Sequence, residues 1–256
     1  MSHDIGITTA TSETCRRPLA GQRVCCSWSG GKDSCLALHR ALSDGAMPEV
    51  LLTMLTEGGD RTRSHGLPRS VIEAQAKSLG LQLRTVASSW DNYEQSLVEL
   101  LCGVKADGIK AAIFGDIDIP RHRAWEEQVC TVAGIRAFLP LWQTDRFALL
   151  EEWWQLGFEA RIIAVRDGVV GREFLGRRLD SQTANELVQL GVDVCGENAE
   201  FHTVVTDGPI FRYPIRLVLK SQVLLSGCWF QDVALEDMVV VDHFAKTSEV
   251  FETSEE

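Results

Sequence analysis

The chain has 256 residues, 45% of them hydrophobic and 24% charged, with 25 Lys and Arg against 36 Asp and Glu for a net charge of −11. That balance excludes a wholly disordered chain, and the length supports a core without disulfide or metal staples. The acidic excess counts against a phosphate-backbone partner, so nucleic acid is not the expected substrate; basic strips are local, at Arg121, Arg123 and Arg136 or at Arg172, Arg177 and Arg178.

In chain order, residues 1–21 read as a loose polar tail without the apolar core of a secretory leader. Arg23–Trp28 is a short apolar run that predicts a buried strand, and the spacing of Cys35, Leu36, Leu38 and Leu42 predicts a helix over Asp33–Ser43. Glu49–Thr56 predicts a second strand, Arg69–Leu79 a helix closed by Gly80, Leu81–Ala87 a third strand and Asp91–Val104 a third helix. Ala111–Ile117 follows as a fourth strand and Arg121–Ala133 as the next helix. Strands alternating with such helices build parallel βαβ units. The expected fold is α/β, a doubly wound, mostly parallel Rossmann-like sheet whose ligand sits beyond the carboxyl ends of the strands.

The rhythm changes after Gly134. Phe138–Trp142 is an apolar stretch broken by proline, and Asp145–Leu156 is a helix with Thr144 in the N-cap position. Glu159–Val165 predicts a strand, Gly168, Gly171 and Gly176 a loop, Ser181–Leu190 a helix, Val192–Cys195 a short strand and Glu200–Thr206 an extended segment before a turn at Asp207-Gly208-Pro209. This reads as a second, smaller α+β domain. The expected organisation is a tail over 1–21, a nucleotide-binding domain over 22–130, a substrate-facing domain over 131–243 and an acidic tail over 244–256.

The eight cysteines include no CxxC pair, which removes the spacing support for a zinc ribbon or an iron–sulfur site. No apolar run reaches the roughly 18 residues of a membrane span. Without an export signal, the thiols are expected to be reduced in the cytoplasm.

Ser29-Gly30-Gly31-Lys32-Asp33-Ser34 follows a predicted strand and opens a predicted helix. Paired glycines let the backbone turn tightly, and N–H groups at a helix start attract anions. Ser29 and Ser34 supply hydroxyls and Lys32 a cation, so a phosphate group is the expected ligand. The Walker A spacing is absent, because Cys26 and Asp33 occupy the places where it needs Gly and Ser or Thr. Asp33 beside phosphate suggests a Mg²⁺ ligand, with Asp116, just past the fourth strand, as the second candidate.

A second constellation, Gly196-Glu197-Asn198-Ala199-Glu200-Phe201-His202-Thr203, packs carboxylates beside an imidazole. On an extended segment Glu200 and His202 share one face by alternation, where they can bind ammonium or move a proton. His65 in the loop after the second strand is a further candidate, as are Arg121 and Arg123 for an anionic substrate or the AMP phosphate.

The phosphate loop resembles that of the N-type ATP pyrophosphatases. With the Gly196–Thr203 segment, Asp207-Gly208-Pro209, the run Ala112–Ile117 leading to Arg121-His122-Arg123, Leu141-Trp142 and Leu175–Asp180, the chain is similar over about residues 22–212 to the diphthine–ammonia ligase family. At Ala199 that family often carries glycine. The resemblance implies a HUP-type nucleotide-binding domain and an ATP-dependent ligase that adenylates a carboxylate, releases pyrophosphate, and loses AMP on attack by ammonia. It implies ATP and Mg²⁺, free ammonia without a glutaminase domain, and elongation factor 2 as protein substrate where the organism makes diphthamide, with another acceptor elsewhere. A homodimer is an admissible assembly. The alternatives are an ATP pyrophosphatase with another substrate, such as a tRNA thiolase or a small-molecule enzyme, and a non-catalytic ATP-binding regulator.

Overall fold

Alternation along one short strand sets the architecture. In β1 (Arg23–Ser27) the buried Val24 and Cys26 join one apolar cluster while Cys25 joins another, because successive strand residues face opposite sides of a sheet. A strand buried on both faces needs helices on both. The computed structural model, which describes residues 19–236, supplies them. The tails expected over 1–21 and 244–256 lie outside the described residues, apart from 19–21.

β1, β2 (Met47–Leu55), β3 (Gln82–Ala87), β4 (Ala111–Ile113) and β5 (Arg136–Phe138) form a five-stranded parallel sheet in the order β3-β2-β1-β4-β5. The connecting helices are α1 (Lys32–Ser43), α2 (Arg69–Leu79), α3 (Tyr93–Ala106) and α4 (Pro120–Ala133). Chain order runs one way from β1 through β2 to β3 and the other way from β4 to β5. The crevice at the carboxyl ends of β1 and β4 is therefore the topological switch point, the place where doubly wound sheets bind ligands. Then come α5 (Arg146–Gln155), β6 (Glu159–Arg166), α6 (Ser181–Gln189), β7 (Phe201–Asp207), β8 (Leu217–Leu225) and β9 (Cys228–Leu235), whose strands make an antiparallel sheet ordered β7-β6-β9-β8. The α/β fold with a separate second sheet is as expected. Among the described residues no helix is long and apolar enough to cross a membrane.

One apolar cluster joins the two sheets. Leu36 and Leu38 of α1 and Ile72 of α2 share it with Ile162 and Ala164 of β6 and Val204 and Val205 of β7. The second sheet thus packs on the helices covering one face of the first, which lays β7 across the start of α1.

Several expected elements differ. β4 ends at Ile113 rather than Ile117, because the chain leaves the sheet there to cross the switch point. The N-cap of α5 is Asp145, not Thr144: the Asp145 carboxylate accepts from Ala148 N at 3.0 Å. Residues 192–195 form no strand: 192–193 are irregular and 194–195 lie in a turn. β5 extends the first sheet past residue 130, where the sequence reading ended that domain. The β8–β9 hairpin was not anticipated, since β8 is exposed along nearly its whole length and carries no one-sided apolar alternation.

Candidate active site

The loop between β1 and α1 is held from three sides. Gly30 sits at φ 84°, a left-handed conformation, and a Cβ there would lie 2.7 Å from Leu67 and Ile72 side-chain carbons. Gly30 O accepts from Val205 N at 2.9 Å and from Gln75 Nε2 at 3.1 Å, so β7 and α2 fix its orientation. On the third side Gly115 brings the β4–α4 loop against the backbone of Asp33 and Ser34, where a Cβ would lie at 2.7 Å. Ser29 Oγ and Ser34 Oγ are 3.2 Å apart.

The loop N–H groups are not all free. Gly31 N donates to Ser29 Oγ at 3.2 Å and Lys32 N to Thr203 Oγ1 at 3.1 Å, because β7 lies close enough to cap α1 from outside it. Lys32 is 4% exposed, and its Nζ donates to both Asp33 carboxylate oxygens at 2.7 and 2.8 Å and to Cys195 O at 2.5 Å. Burial, the largest single effect, opposes its charge, but Asp33, Cys195 and Glu197 together hold its pKa above the ordinary lysine value.

These groups open onto a cavity of about 300 Å³, lined among others by Ser29, Lys32, Asp33, Ser34, His65, Asp116, Glu197 and His202. The loop, the residue after β4 and the Gly196–Thr203 segment therefore meet at the switch point. His65 and His202 stack with ring centroids 4.6 Å apart. His65 Nδ1–H donates to Thr203 O at 2.8 Å, since a carbonyl can only accept, which leaves Nε2 as an acceptor. Burial, then the His202 ring, pushes the His65 pKa down to about 3. Burial, then Lys32, pushes His202 down to about 4, so both imidazoles are neutral at pH 7. Burial raises Glu197 to about 8, with the charges of Asp33 and Asp116 adding to it and Lys32 opposing.

Three expected residues stand elsewhere. Glu200 lines a neighbouring cavity of about 980 Å³ instead, so it does not share a face with His202. The cause is Ala199 at φ 58°, which breaks the extended run one residue earlier, and β7 starts only at Phe201. The Glu200 carboxylate accepts from Asn198 N at 3.0 Å and Asn198 Nδ2 at 3.1 Å, which shapes the turn rather than the cavity. Arg123 pairs with Glu127 at 2.7 Å and lies 4.9 Å over the Trp142 ring, and Arg121 is exposed; neither lines the cavity.

Two cavity residues escaped the sequence reading. His122 Nδ1 is 2.9 Å from Asp116 Oδ1, and Glu126 lies one helical turn further along α4. Burial and then a hydrogen bond with Asp116 push the Glu126 pKa up to about 11. A signal existed: Glu126 occupies the inward stripe of α4 with Val129, Cys130 and Ala133, where a carboxylate is out of place. Among the described residues no three His, Cys, Asp or Glu side chains are arranged to hold a metal ion.

Ala199 gives a direct stability test. A left-handed alanine costs about 1 kcal/mol that glycine does not. Ala199→Gly is expected to raise the melting temperature by roughly 2–4 °C, read by calorimetry; no rise would mean that the Ala199 methyl contributes contacts that offset its strain.

Residues 22–137 match the family model for the diphthamide synthase N-terminal domain and residues 145–238 that for the C-terminal domain. The human protein named diphthine–ammonia ligase is 29% identical over 265 aligned positions, covering 90% of this chain and 99% of its own. The rat protein of that name is 30% identical, covering 83% of this chain and 89% of its own. Among solved structures, a predicted tRNA methyltransferase subunit from Methanocaldococcus jannaschii aligns with TM-score 0.39 and 17% identity over 73% of this chain and 98% of that one. With both family domains present in order and the 29–34 loop facing the Gly196–Thr203 segment across one cavity, the chain belongs to the diphthine–ammonia ligase family, a family of ATP-dependent amide ligases.

Proposed function

We propose that the chain activates a substrate carboxylate with ATP, releasing pyrophosphate, and converts the acyl adenylate to an amide with free ammonia. The supporting observation is that the 29–34 loop and residues 195–203, from the two family domains, line a single cavity at the switch point. The carboxylate attacks the α-phosphorus, and charge accumulates on the departing pyrophosphate. Ser29, Ser34 and Lys32 line the cavity and bring hydroxyl groups and a positive charge to that departing group.

Among the described residues the cavity also bears Asp33 and Asp116 beside Lys32, two carboxylates that a divalent cation can bridge to phosphate. Asp33 and Asp116 fit Mg²⁺, which typically takes one or two protein carboxylates and completes its shell with phosphates and water. When bound, it would neutralise phosphate charge. Glu197 is the proton acceptor for the nitrogen nucleophile, and neutral His202 and His65 line its path as polar groups. Glu200 positions the turn through Asn198. The acceptor is elongation factor 2 in an organism that makes diphthamide. Sulfur transfer is disfavoured: burial holds Cys26 and Cys35 well above the ordinary thiol pKa and Cys195 up at about 12, so none supplies a thiolate.

The test is AMP and pyrophosphate release from α-labelled ATP with Mg²⁺ and ammonium, with and without diphthine-bearing elongation factor 2. Acceptor-dependent AMP is expected. AMP that forms equally without acceptor would refute the ligase reading, and ATP binding with no AMP under either condition would replace it with that of a nucleotide-binding regulator.

A further inference from the structure

The chain between α6 and β7, residues 190–200, contains neither helix nor strand, yet Glu197, the proton acceptor of the proposed reaction, lies in it. No ladder of backbone bonds fixes such a segment, so side chains must. Asp193 does this from within: its Oδ1 accepts from Cys195 N at 3.2 Å and its Oδ2 from Glu197 N at 2.7 Å. The same Oδ2 lies 2.6 Å from Arg146 Nη1, and the Asp193 side chain is only 10% exposed. Arg146 opens α5, and the rest of its guanidinium grips the other family domain. Its Nε donates to Asp118 Oδ2 at 2.9 Å and its Nη2 to Asp118 Oδ1 at 2.6 Å. Asp118 stands two positions past Asp116 on the chain from β4 to α4. A planar guanidinium can hold one carboxylate with two donors while a third reaches another, which a lysine ammonium cannot copy. Cys195 Sγ, 3.4 Å from Arg146 O, is a second tie between α5 and the turn.

We propose that Arg146 is a positioning residue: bridging Asp118 and Asp193, it holds the 193–197 turn so that the Glu197 carboxylate meets the nitrogen nucleophile. This rests on the ligase reading above. Burial holds the Glu197 pKa up at about 8, and the Arg146 charge is among those that lower it, which favours the carboxylate form that takes the proton. Adenylation depends less on the bridge. Without Arg146, Lys32 keeps both Asp33 oxygens, at 2.7 and 2.8 Å, and Asp116 keeps His122, at 2.9 Å. The two half-reactions therefore respond differently to its loss.

Arg146→Lys and Arg146→Met are compared with wild type in the full chain, above the Glu197 pKa of about 8. Adenylation is read as exchange of labelled pyrophosphate into ATP with Mg²⁺ and diphthine-bearing elongation factor 2 but no ammonium. The second half-reaction is read as amide formed on that acceptor against ammonium chloride concentration. Backbone hydrogen exchange at 193–197 is followed without substrate. Pyrophosphate exchange is expected to stay close to wild type, while ammonium-dependent amide formation falls by about tenfold in Arg146→Lys and up to about 10²-fold in Arg146→Met, the cost of a misplaced group. The Cys195 and Glu197 N–H groups are expected to exchange faster, since Asp193 loses the fork that orients it. Unchanged hydrogen exchange there in a folded variant overturns the proposal, as does unchanged amide formation. Equal falls in both half-reactions also overturn it, by making Arg146 a general support of the fold. If Arg146→Met does not fold, Arg146→Lys, which keeps the charge, carries the same test. A wild type that forms no acceptor-dependent AMP overturns the ligase reading and this assignment with it, and that failure shows before any variant is made.

Discussion

Replacing Lys32 with alanine is expected to lower acceptor-dependent AMP formation by about 10²- to 10³-fold, the usual loss when one preorganised donor to a developing negative charge is removed. Two effects act together. Among the described residues the side chain is the one Lys or Arg lining the cavity, and its removal leaves Asp33 and Asp116 to repel the incoming triphosphate. It also ties the first domain to the second, through Cys195 O at 2.5 Å. Lys32→Met retains most of the volume and separates charge from packing. A loss in ATP affinity and turnover shared by both variants, with melting temperatures near wild type, is the expected result from equilibrium ATP binding and AMP release. Wild-type AMP formation by a folded Lys32→Met protein would remove the loop lysine from the chemistry.

The acid limb of stability is expected to depend on the stacked histidines. His65 and His202 have folded pKa values of about 3 and about 4, both below the ordinary histidine value of 6.5. Below that ordinary value the unfolded chain binds protons that the folded chain does not, so each histidine withdraws about 1.4 kcal/mol per pH unit as pH falls from there toward the folded value. At pH 5 the pair together removes on the order of 4 kcal/mol relative to pH 7. Glu126 and Glu197 act with the opposite sign. Their folded pKa values, about 11 and about 8, lie above the ordinary 4.5, so they add stability as pH falls toward 4.5. The histidine contribution is therefore read from the difference between wild type and a His65→Gln, His202→Gln double variant in urea unfolding at pH 7 and pH 5. That difference is expected to shift by several kcal/mol in favour of the variant at pH 5; a pH-independent difference would mean that the rings take up protons within the fold, by opening to solvent.

How much was legible depended on how local the physics is. The Ser29–Ser34 loop could be identified because a strand end, two glycines and a helix start occupy consecutive positions, and the backbone conformation at Gly30 is set within the segment. The order of strands and helices up to α4 followed from apolar periodicity for the same reason. Glu200 was misplaced because alternation holds only inside an extended run, and Ala199, a residue with no intrinsic turn signal, adopts the left-handed conformation just before it. His122 and Glu126 line the cavity where Arg121 and Arg123 do not, since the rotation of α4 about its axis is fixed by the packing of Val129, Cys130 and Ala133 and not by the residues that look chemical.

The sequence by itself determined the glycine loop between β1 and α1, the doubly wound order of its first half and the acidic character of the molecule. These rest on interactions between near neighbours or on summed charge. Only the tertiary structure decided what surrounds the loop: Lys32 meeting a carbonyl 163 positions away, Thr203 capping α1 from 171 positions away, and His65 lying against Thr203 across 138. Such contacts arise because the second sheet buries its apolar face on the helices of the first. The site chemistry is thus a consequence of where two apolar surfaces meet, which no segment of the chain encodes alone.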